Sequence, residues 1–573
     1  MGYCLLVAID STVRWATIGG MGTYRLDSAD IALQGPSSAF ELEVLPSGIR
    51  RYRYAPKSLG AAIAYFDQFR EREYLVFEDQ RITYAEARER IIGIIRALAL
   101  KGLQPGDRVA IAMRNFPEWV FSFFAITAAG LVAVPLNAWW SADELTYGLL
   151  DSGAKLAIVD EERAVALADR VVTDLWLRGS TDLEFAPLVA MLDDQVKAAE
   201  SESERIVEVS GAAPAAIFYT SGTTGRPKGV VLGHDNLLQA LFNALYLGAR
   251  TLLRAGGDPT QSGEQAVNLV SIPLFHVTGC VAVLLPGTAT GAKFVLSRRF
   301  DPLEALALIE RERVTSFGGV PTVAQQILRH PDRDRFDLTS VKVVSYGGAP
   351  SAPELVRTIG RTSTEIVPGN GYGLTETAGL VTFNGGASYQ ERPSSAGPPV
   401  PVTDIKVVDP LGEDLPDGEP GELLVRGPTV FQGYWDKPIE TQSVFEGGWF
   451  RTGDIATIDG DGYLQIVDRL KDLIIRGGEN VATVEVENVI FEFPAVEDVA
   501  VFGYPDEVLG ERVAAVVVIA PTSSLDVGAL RVFLKARLAS FQVPDVIEVR
   551  YKPLPRNPAG KLLKRSLRDE YFG

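Results

Sequence analysis

From Trp119 to Trp140 the chain runs 22 residues without a charge, and a run that long must be hidden from water by lipid or by protein. Gly130 and Pro135 interrupt it, and Val132-Ala133-Val134-Pro135 reads as a strand end after a helix. The reading is therefore a buried helix–strand unit covered by further layers of chain. Any membrane contact is expected to be peripheral, with no transmembrane segment.

Helical and strand patterns alternate from Leu59 onward, which argues for an α/β architecture with layered parallel sheets. Helices are expected over Ala85 to Leu100, Ser141 to Leu150 and Pro302 to Glu312. Strands are expected at Val109 to Met113, Leu156 to Val159, Val267 to Ile272, Lys293 to Leu296 and Lys342 to Ser345. Asp182 to Val209 reads as a surface loop. After Pro398, turns such as Pro416-Asp417-Gly418 and Asp459-Gly460-Asp461-Gly462 recur at short intervals, the pattern of a small β-rich subdomain. Beyond Arg469 the pattern is mixed again, with a helix from Thr483, strands near Val499 to Phe502 and Val513 to Ile519, and a helix from Val527 to Leu538. At 573 residues the chain exceeds one domain of about 100 to 200 residues.

The formal charge of −18 argues against nucleic acid as a partner. Any site for an anion must be a local exception built from loop N–H groups and a few Lys and Arg. Two cysteines, Cys4 and Cys280, make no disulfide framework, and three histidines without a Cys cluster make no zinc site. A reducing, cytoplasmic setting is the expectation. Residues 1–27 read as a disordered extension or as a start placed too far upstream, since the run Leu5 to Ile9 lacks a basic flank and is too short for a secretory signal.

The strongest chemical signal is Tyr-Thr-Ser-Gly-Thr-Thr-Gly-Arg-Pro-Lys-Gly-Val, Tyr219 to Val230, after the apolar run Ala215 to Phe218. Glycines let successive N–H groups point into one concavity, hydroxyls add donors and Lys228 supplies a point charge. Thr220, Ser221, Gly222, Thr223, Thr224, Gly225 and Lys228 thus form a candidate polyphosphate loop. It is not a Walker loop, because Pro227 and Gly229 stand where that pattern needs other residues. Here the chain resembles the adenylate-forming superfamily, and within it the acyl-CoA synthetases, whose phosphate loop is nearly this string.

The resemblance extends from about Leu59 to Arg568. It implies the adenylate-forming fold: a large N-terminal domain over residues 28–470, with a small β-rich subdomain, and a small mobile α+β C-terminal domain over 471–573 that turns about a hinge at Lys471. It implies that Asn370-Gly371-Tyr372-Gly373-Leu374-Thr375-Glu376 serves the nucleotide, with Glu376 and Thr220 on the Mg²⁺ side, Thr375 on a phosphate or carboxylate and Tyr372 against adenine. Mg²⁺ prefers oxygen ligands and bridges substrate phosphates. Gly347-Gly348-Ala349 would bring backbone close to adenine. Asp454, read as following a tight turn, offers two acceptors to the ribose hydroxyls, with Arg469 as its partner. Lys561, in Pro555-Arg556-Asn557-Pro558-Ala559-Gly560-Lys561, is the implied catalytic lysine, although Asn557 stands where the family more often has Thr. Lys564 and Arg565 beside it read as ordinary surface charge. Arg476-Gly477-Gly478-Glu479 is the implied CoA loop, brought in when the domain rotates and Lys561 leaves.

Phe275, His276 and Gly279, with Gly318, Gly319, Val320 and Gly347, are the expected acyl pocket. These segments carry no Lys, Arg, Asp or Glu, so a neutral, apolar tail is expected. His276 is a gate beside the carboxylate or a packing residue of the wall, and general-base help to the thiol is a further role open to it. The implied function is ATP-dependent activation of a carboxylic acid to acyl-AMP, then thioester formation with CoA, with Mg²⁺ as cofactor; fatty-acid metabolism is the expected setting. The rivals are an acyl-AMP ligase serving a carrier protein, a luciferase-like enzyme that oxidises the adenylate, and an inactive nucleotide-binding regulator. A homodimer is compatible with the sequence.

Overall fold

The computed structural model describes residues 24, 26–170, 173–178, 186–187, 206–220, 226–261, 263–348, 353–362, 365–556 and 562–572. The uncharged run resolves into the helix Pro117–Ala128 and the strand Val132–Pro135. The helix is apolar all round and nearly every residue in it is buried, as such a helix must be. Gly130 makes the reversal between them at φ +73°, in the left-handed region that favours glycine. Among the described residues no helix is long and apolar enough to cross a membrane.

Two eight-stranded sheets share the core around that helix. In the first, Val132–Pro135, Arg108–Ala112, Leu156–Val159 and Asp174–Leu177 run parallel. One edge is finished by the antiparallel hairpin Pro214–Thr220 and Lys228–Gly233, to which the short strand Gly433–Tyr434 adds. In the second, Lys293–Leu296, Val267–Val270, Ser316–Gly319, Val343–Gly347 and Val367–Tyr372 are parallel neighbours. Their connecting helices begin with strong local signals. Tyr84–Leu100 has a capping box between Thr83 and Glu86, and Pro302–Glu312 has an Asp301 cap followed by proline.

A five-stranded antiparallel sheet follows, centred on Gly421–Arg426 and the long strand Trp449–Ile458, with Leu464–Arg469 beside it. The chain then passes to another five-stranded sheet, whose first strand is Ile474–Arg476 and whose centre is the pair Val496–Asp506 and Gly510–Ile519. The turn at residues 470–473 carries the chain from one sheet to the other. Most of the loop expected over Asp182 to Val209 lies outside the described residues.

The extension expected over 1–27 also falls mostly outside them, but its end needs correcting. Asp27 caps the helix Ser28–Gln34 and pairs with Arg254. The Tyr24 hydroxyl donates to Asp30 at 3.2 Å, and the buried Asp30 is held by Tyr246 and Arg250. These residues are stitched to the helix His234–Arg254 and belong to the fold.

Candidate active site

A cavity of about 1830 Å³ opens between the upper ends of the second sheet's strands, the first sheet's hairpin and the C-terminal domain. Single small-ligand sites usually measure about 300 to 1000 Å³, so this volume suits more than one reactant.

The phosphate string spans the hairpin. Thr220 stands opposite Lys228 across it, and both line the cavity. Ser221, Gly222, Thr223, Thr224 and Gly225 lie outside the described residues. Tyr219 fixes the base by donating to Asp151 Oδ2 at 2.7 Å. Lys228 Nζ lies 4.9 Å from the centre of the Tyr434 ring, and the Tyr434 hydroxyl donates to Glu376 Oε1 at 2.9 Å. One tyrosine therefore couples the lysine of the phosphate string to the glutamate of the second motif. Burial raises the Glu376 carboxyl above its ordinary value, partly offset by that hydrogen bond. No cation lies in contact with it among the described residues. Tyr434 escapes a sequence reading because it sits on a two-residue strand with no pattern of its own.

Gly347, Gly348, Gly371, Gly373, Thr375 and Glu376 line the cavity; Asn370 and Tyr372 do not. Strand alternation turns Asn370 away from the face shared by Gly369 and Gly371. Tyr372 points its hydroxyl at Asp454 Oδ2, 2.6 Å away, while Arg469 Nε meets Asp454 Oδ1 at 3.1 Å. Asp454 does not follow a tight turn: it lies within Trp449–Ile458, directly opposite Arg469 in register, and is 2% exposed. Its neighbours Thr452 and Gly453 and its partner Arg469 reach the cavity surface. Gly347 is required by the sheet, since a Cβ there would meet the Gly371 carbonyl oxygen at 2.4 Å. Ala349 lies outside the described residues.

Of the expected acyl-pocket residues, His276, Gly318, Gly319, Val320 and Gly347 line the cavity. Phe275 and Gly279 do not. Phe275 is buried against Trp139, with ring centres 5.3 Å apart, and Gly279 lets its helix pack on Pro273, whose carbonyl oxygen would sit 2.5 Å from a Cβ. His276 Nε2 is buried without a hydrogen-bond partner among the described residues. Burial pulls this imidazole down to about 4, so it is neutral at physiological pH and contributes no charge to a bound carboxylate.

From the C-terminal domain, Tyr551, Pro553, Leu554 and Arg556 line the cavity. Arg556 Nη2 reaches both oxygens of Asp498 at 2.8 Å. Arg556 also pairs with Leu562 across the loop that carries Lys561; Lys561 itself lies outside the described residues. Lys471, on the connecting turn, lines the cavity as well. The expected CoA loop is elsewhere. Gly477 and Gly478, at φ +60° and +90°, form the two-residue turn of a hairpin. Arg476 donates to Phe541 O at 2.6 Å and to Asp545 at 3.1 Å. None of residues 476–479 lines the cavity.

The family model described as AMP-binding enzyme matches residues 64–435, and that of the AMP-binding enzyme C-terminal domain matches residues 485–561. The chain belongs to the AMP-binding enzyme family. The first match ends just beyond Tyr434 and the second ends at Lys561, so the polar groups gathered at the cavity fall largely inside the family's two domains. A feruloyl-CoA synthase of Amycolatopsis sp is 39% identical over 490 residues, covering 86% of this chain and 94% of that protein. A long-chain-fatty-acid–CoA ligase of Bacillus subtilis is 32% identical over 534 residues, covering 88% and 92%. Among solved structures, the amide bond synthetase McbA from Marinactinospora thermotolerans superposes with a TM-score of 0.79 at 29% identity, covering 90% of this chain and 99% of that one.

Proposed function

We propose that this member of the AMP-binding family is an AMP-forming acyl-CoA synthetase acting on a carboxylic acid with an uncharged tail. The observation that carries the reading is convergence. The two ends of the phosphate hairpin, the Glu376–Tyr434 pair, the Gly453–Arg469 edge and the base of the Lys561 loop all border one cavity.

In the first step a carboxylate oxygen attacks the α-phosphorus of ATP, the bond to the bridging oxygen breaks, and pyrophosphate leaves with acyl-AMP formed. Lys228 and the hairpin N–H groups hold the departing phosphates, Asp454 and Arg469 fix the ribose, and Lys561 offsets charge at the α-phosphate. Catalysis of this kind is mostly positioning and charge neutralisation. In the second step the CoA thiolate attacks the acyl carbon and AMP leaves as the thioester forms. Neutral His276 stands beside the reacting carboxyl group as part of the wall. Rotation of the C-terminal domain about Lys471 brings residues 476–479 to the cavity for this step and withdraws Lys561. In the arrangement described above, residues 551–556 face the cavity, which suits adenylation.

Glu376 fits Mg²⁺. It is a partly buried carboxylate on the cavity wall with one neutral donor and no contacting cation among the described residues, which leaves it open to an ion that keeps waters and phosphate oxygens as its other ligands. Bound there with Thr220, Mg²⁺ would neutralise phosphate charge. Tyr434→Phe, which keeps the ring over Lys228 and removes the hydroxyl, is expected to raise the half-saturating Mg²⁺ concentration and slow pyrophosphate release by about tenfold, the cost of a partly buried carboxylate losing its donor. Unchanged Mg²⁺ dependence would detach Tyr434 and Glu376 from the metal.

The function is tested by pyrophosphate release across a panel of uncharged-tail acids, with AMP release measured with and without CoA. The expected result is acid-dependent pyrophosphate release and CoA-dependent thioester. Pyrophosphate release without any CoA-dependent thioester would give the acyl-AMP ligase instead.

A further inference from the structure

The helix His234–Arg254 has two working sides. At about 100° of turn per residue, Gln239, Asn243, Tyr246, Arg250 and Arg254 fall in one stripe, and Ala244, Gly248, Thr251 and Leu252 fall on the far side. The second group lines the cavity. The first is gripped along its whole length by the N-terminal segment from Asp27 to Tyr52.

Tyr52 N donates to Gln239 Oε1 at 2.8 Å, and the Tyr52 hydroxyl donates to Asn243 Oδ1 at 2.9 Å. Gln34 Nε2 donates to the Tyr246 hydroxyl at 2.9 Å, which in turn donates to Asp30 Oδ1. Arg250 Nη1 reaches the same Asp30 oxygen at 3.4 Å, and Arg254 Nε donates to Asp27 Oδ2 at 2.7 Å. The segment is anchored in turn on the antiparallel sheet, where Arg50 meets Asp404 Oδ1 at 2.7 Å. All of these N-terminal residues precede residue 64, at which the family match begins.

The grip is firmest at Asp30. This carboxylate is fully buried, Tyr246 and Arg250 are buried against it, and it is the one carboxylate that Arg250 meets among the described residues. Taking it away leaves a buried guanidinium without its counter-charge, which the end of the helix must move to relieve. The opposite side cannot absorb such a shift. Ala244, Gly248 and Thr251 are small, and a Cβ on Gly248 would meet nothing within 4 Å. Where side chains are this short, the position of the wall is the position of the helix backbone. The wall carries no charged side chain and none of the residues assigned to nucleotide or CoA, so the reactant it confines is the tail of the acid.

We propose that Asp30 is a positioning residue for the acid: through Tyr246 and Arg250 it sets how far the helix wall stands from the acyl tail, and so which sizes of acid the cavity accepts. The N-terminal segment is then a specificity-determining element contributed by a part of the chain outside the family match. The assignment rests on the synthetase reading above and adds to it a determinant of acid size.

The test uses the full chain and two ladders of acids, hexanoate to hexadecanoate and their ω-phenyl counterparts, with pyrophosphate release as readout. A wall held in place separates acids that differ by a methylene or two by about tenfold or more in kcat/KM. In Asp30→Ala this preference should flatten, with the ratio of the best acid to its neighbours falling toward one while the KM for ATP is unchanged. Tyr246→Phe keeps the buried ring and removes only the hydroxyl that joins Asp30; it should flatten the profile in the same way but by less, so the test survives if Asp30→Ala does not fold. A role confined to stability would lower kcat/KM for every acid alike and leave the shape of the profile intact. That result, or a wild-type profile without preference along either ladder, overturns the assignment and leaves the synthetase reading standing. Absence of pyrophosphate with every acid overturns both.

Discussion

Lys561→Ala is expected to slow acid-dependent ATP–pyrophosphate exchange by about 10²- to 10³-fold, the usual effect of removing one preorganised charge or donor from a developing transition state. The same variant, supplied with acyl-AMP and CoA, should release AMP at close to the wild-type rate. The split follows from the proposed division of labour between two arrangements of the C-terminal domain. The loop bearing Lys561 springs from Arg556 and Leu562, which pair with each other, and Leu563 N donates to Pro555 O at 2.9 Å. Arg556 both lines the cavity and grips Asp498 through two 2.8 Å contacts. On the proposed function, a loop fastened in this way carries Lys561 for the first step. In the proposed second arrangement the domain is turned and the lysine withdrawn, so thioester formation should not feel the substitution. Unchanged exchange would remove Lys561 from the first step, and equal losses in both steps would point to a folding defect.

What the sequence discloses and what it hides divide along physical lines. The buried helix–strand unit is legible because an uncharged run has few places to go. The Asp454–Arg469 partnership is anticipated by two motifs, and the structure places them opposite each other on neighbouring strands. Asp454's burial is hidden, because the glycine before it reads as a turn, whereas Gly453 at φ +70° lies within a continuous strand. Gly347 reads in sequence as bringing backbone close to adenine and Gly279 as part of the acyl pocket, yet each is held small by a carbonyl oxygen of a neighbouring segment, a contact no local pattern reports. Tyr434 is invisible for a related reason: its value comes from a partner 58 positions away. Asn268 and Ser316 come side by side only when strands from separate βα units are set in register.

Lys564 is the clearest misreading, and its replacement should have the largest effect on stability. It is not surface charge: its Nζ lies 2.7 Å from Glu487 Oε1 and 2.6 Å from Thr483 Oγ1, with the Lys564 and Glu487 side chains 16% and 11% exposed. Glu487 also accepts from Val501 N at 2.9 Å, and the buried Asp468 accepts from Thr483 N. Burial raises both the Glu487 and Asp468 carboxyls, and the Lys564 charge is the principal force lowering them. Lys564→Ala strands these acids without their cation, which typically costs about 3 to 5 kcal/mol. Hydrogen exchange over Val496–Asp506 and Gly510–Ile519 reads the loss directly as faster opening of the C-terminal sheet. The pH dependence has a definite sign. An acid whose folded pKa lies above its unfolded value binds its proton more tightly when folded, so stability is greatest at low pH and is lost as pH rises through the folded pKa. Without Lys564 both carboxyls rise further, and the variant's deficit should shrink as pH falls from about 7 toward about 5. Pairing the substitution with Glu487→Gln should recover much of the loss at neutral pH, since the buried charge is then gone. A deficit below about 1 kcal/mol, the range of exposed ion pairs, with no pH trend, would return Lys564 to the surface role its sequence context suggests. Because Asp468 adjoins Arg469, which holds Asp454, the same substitution should also weaken ATP binding, linking the core of the C-terminal domain to the nucleotide site through two consecutive residues of one strand.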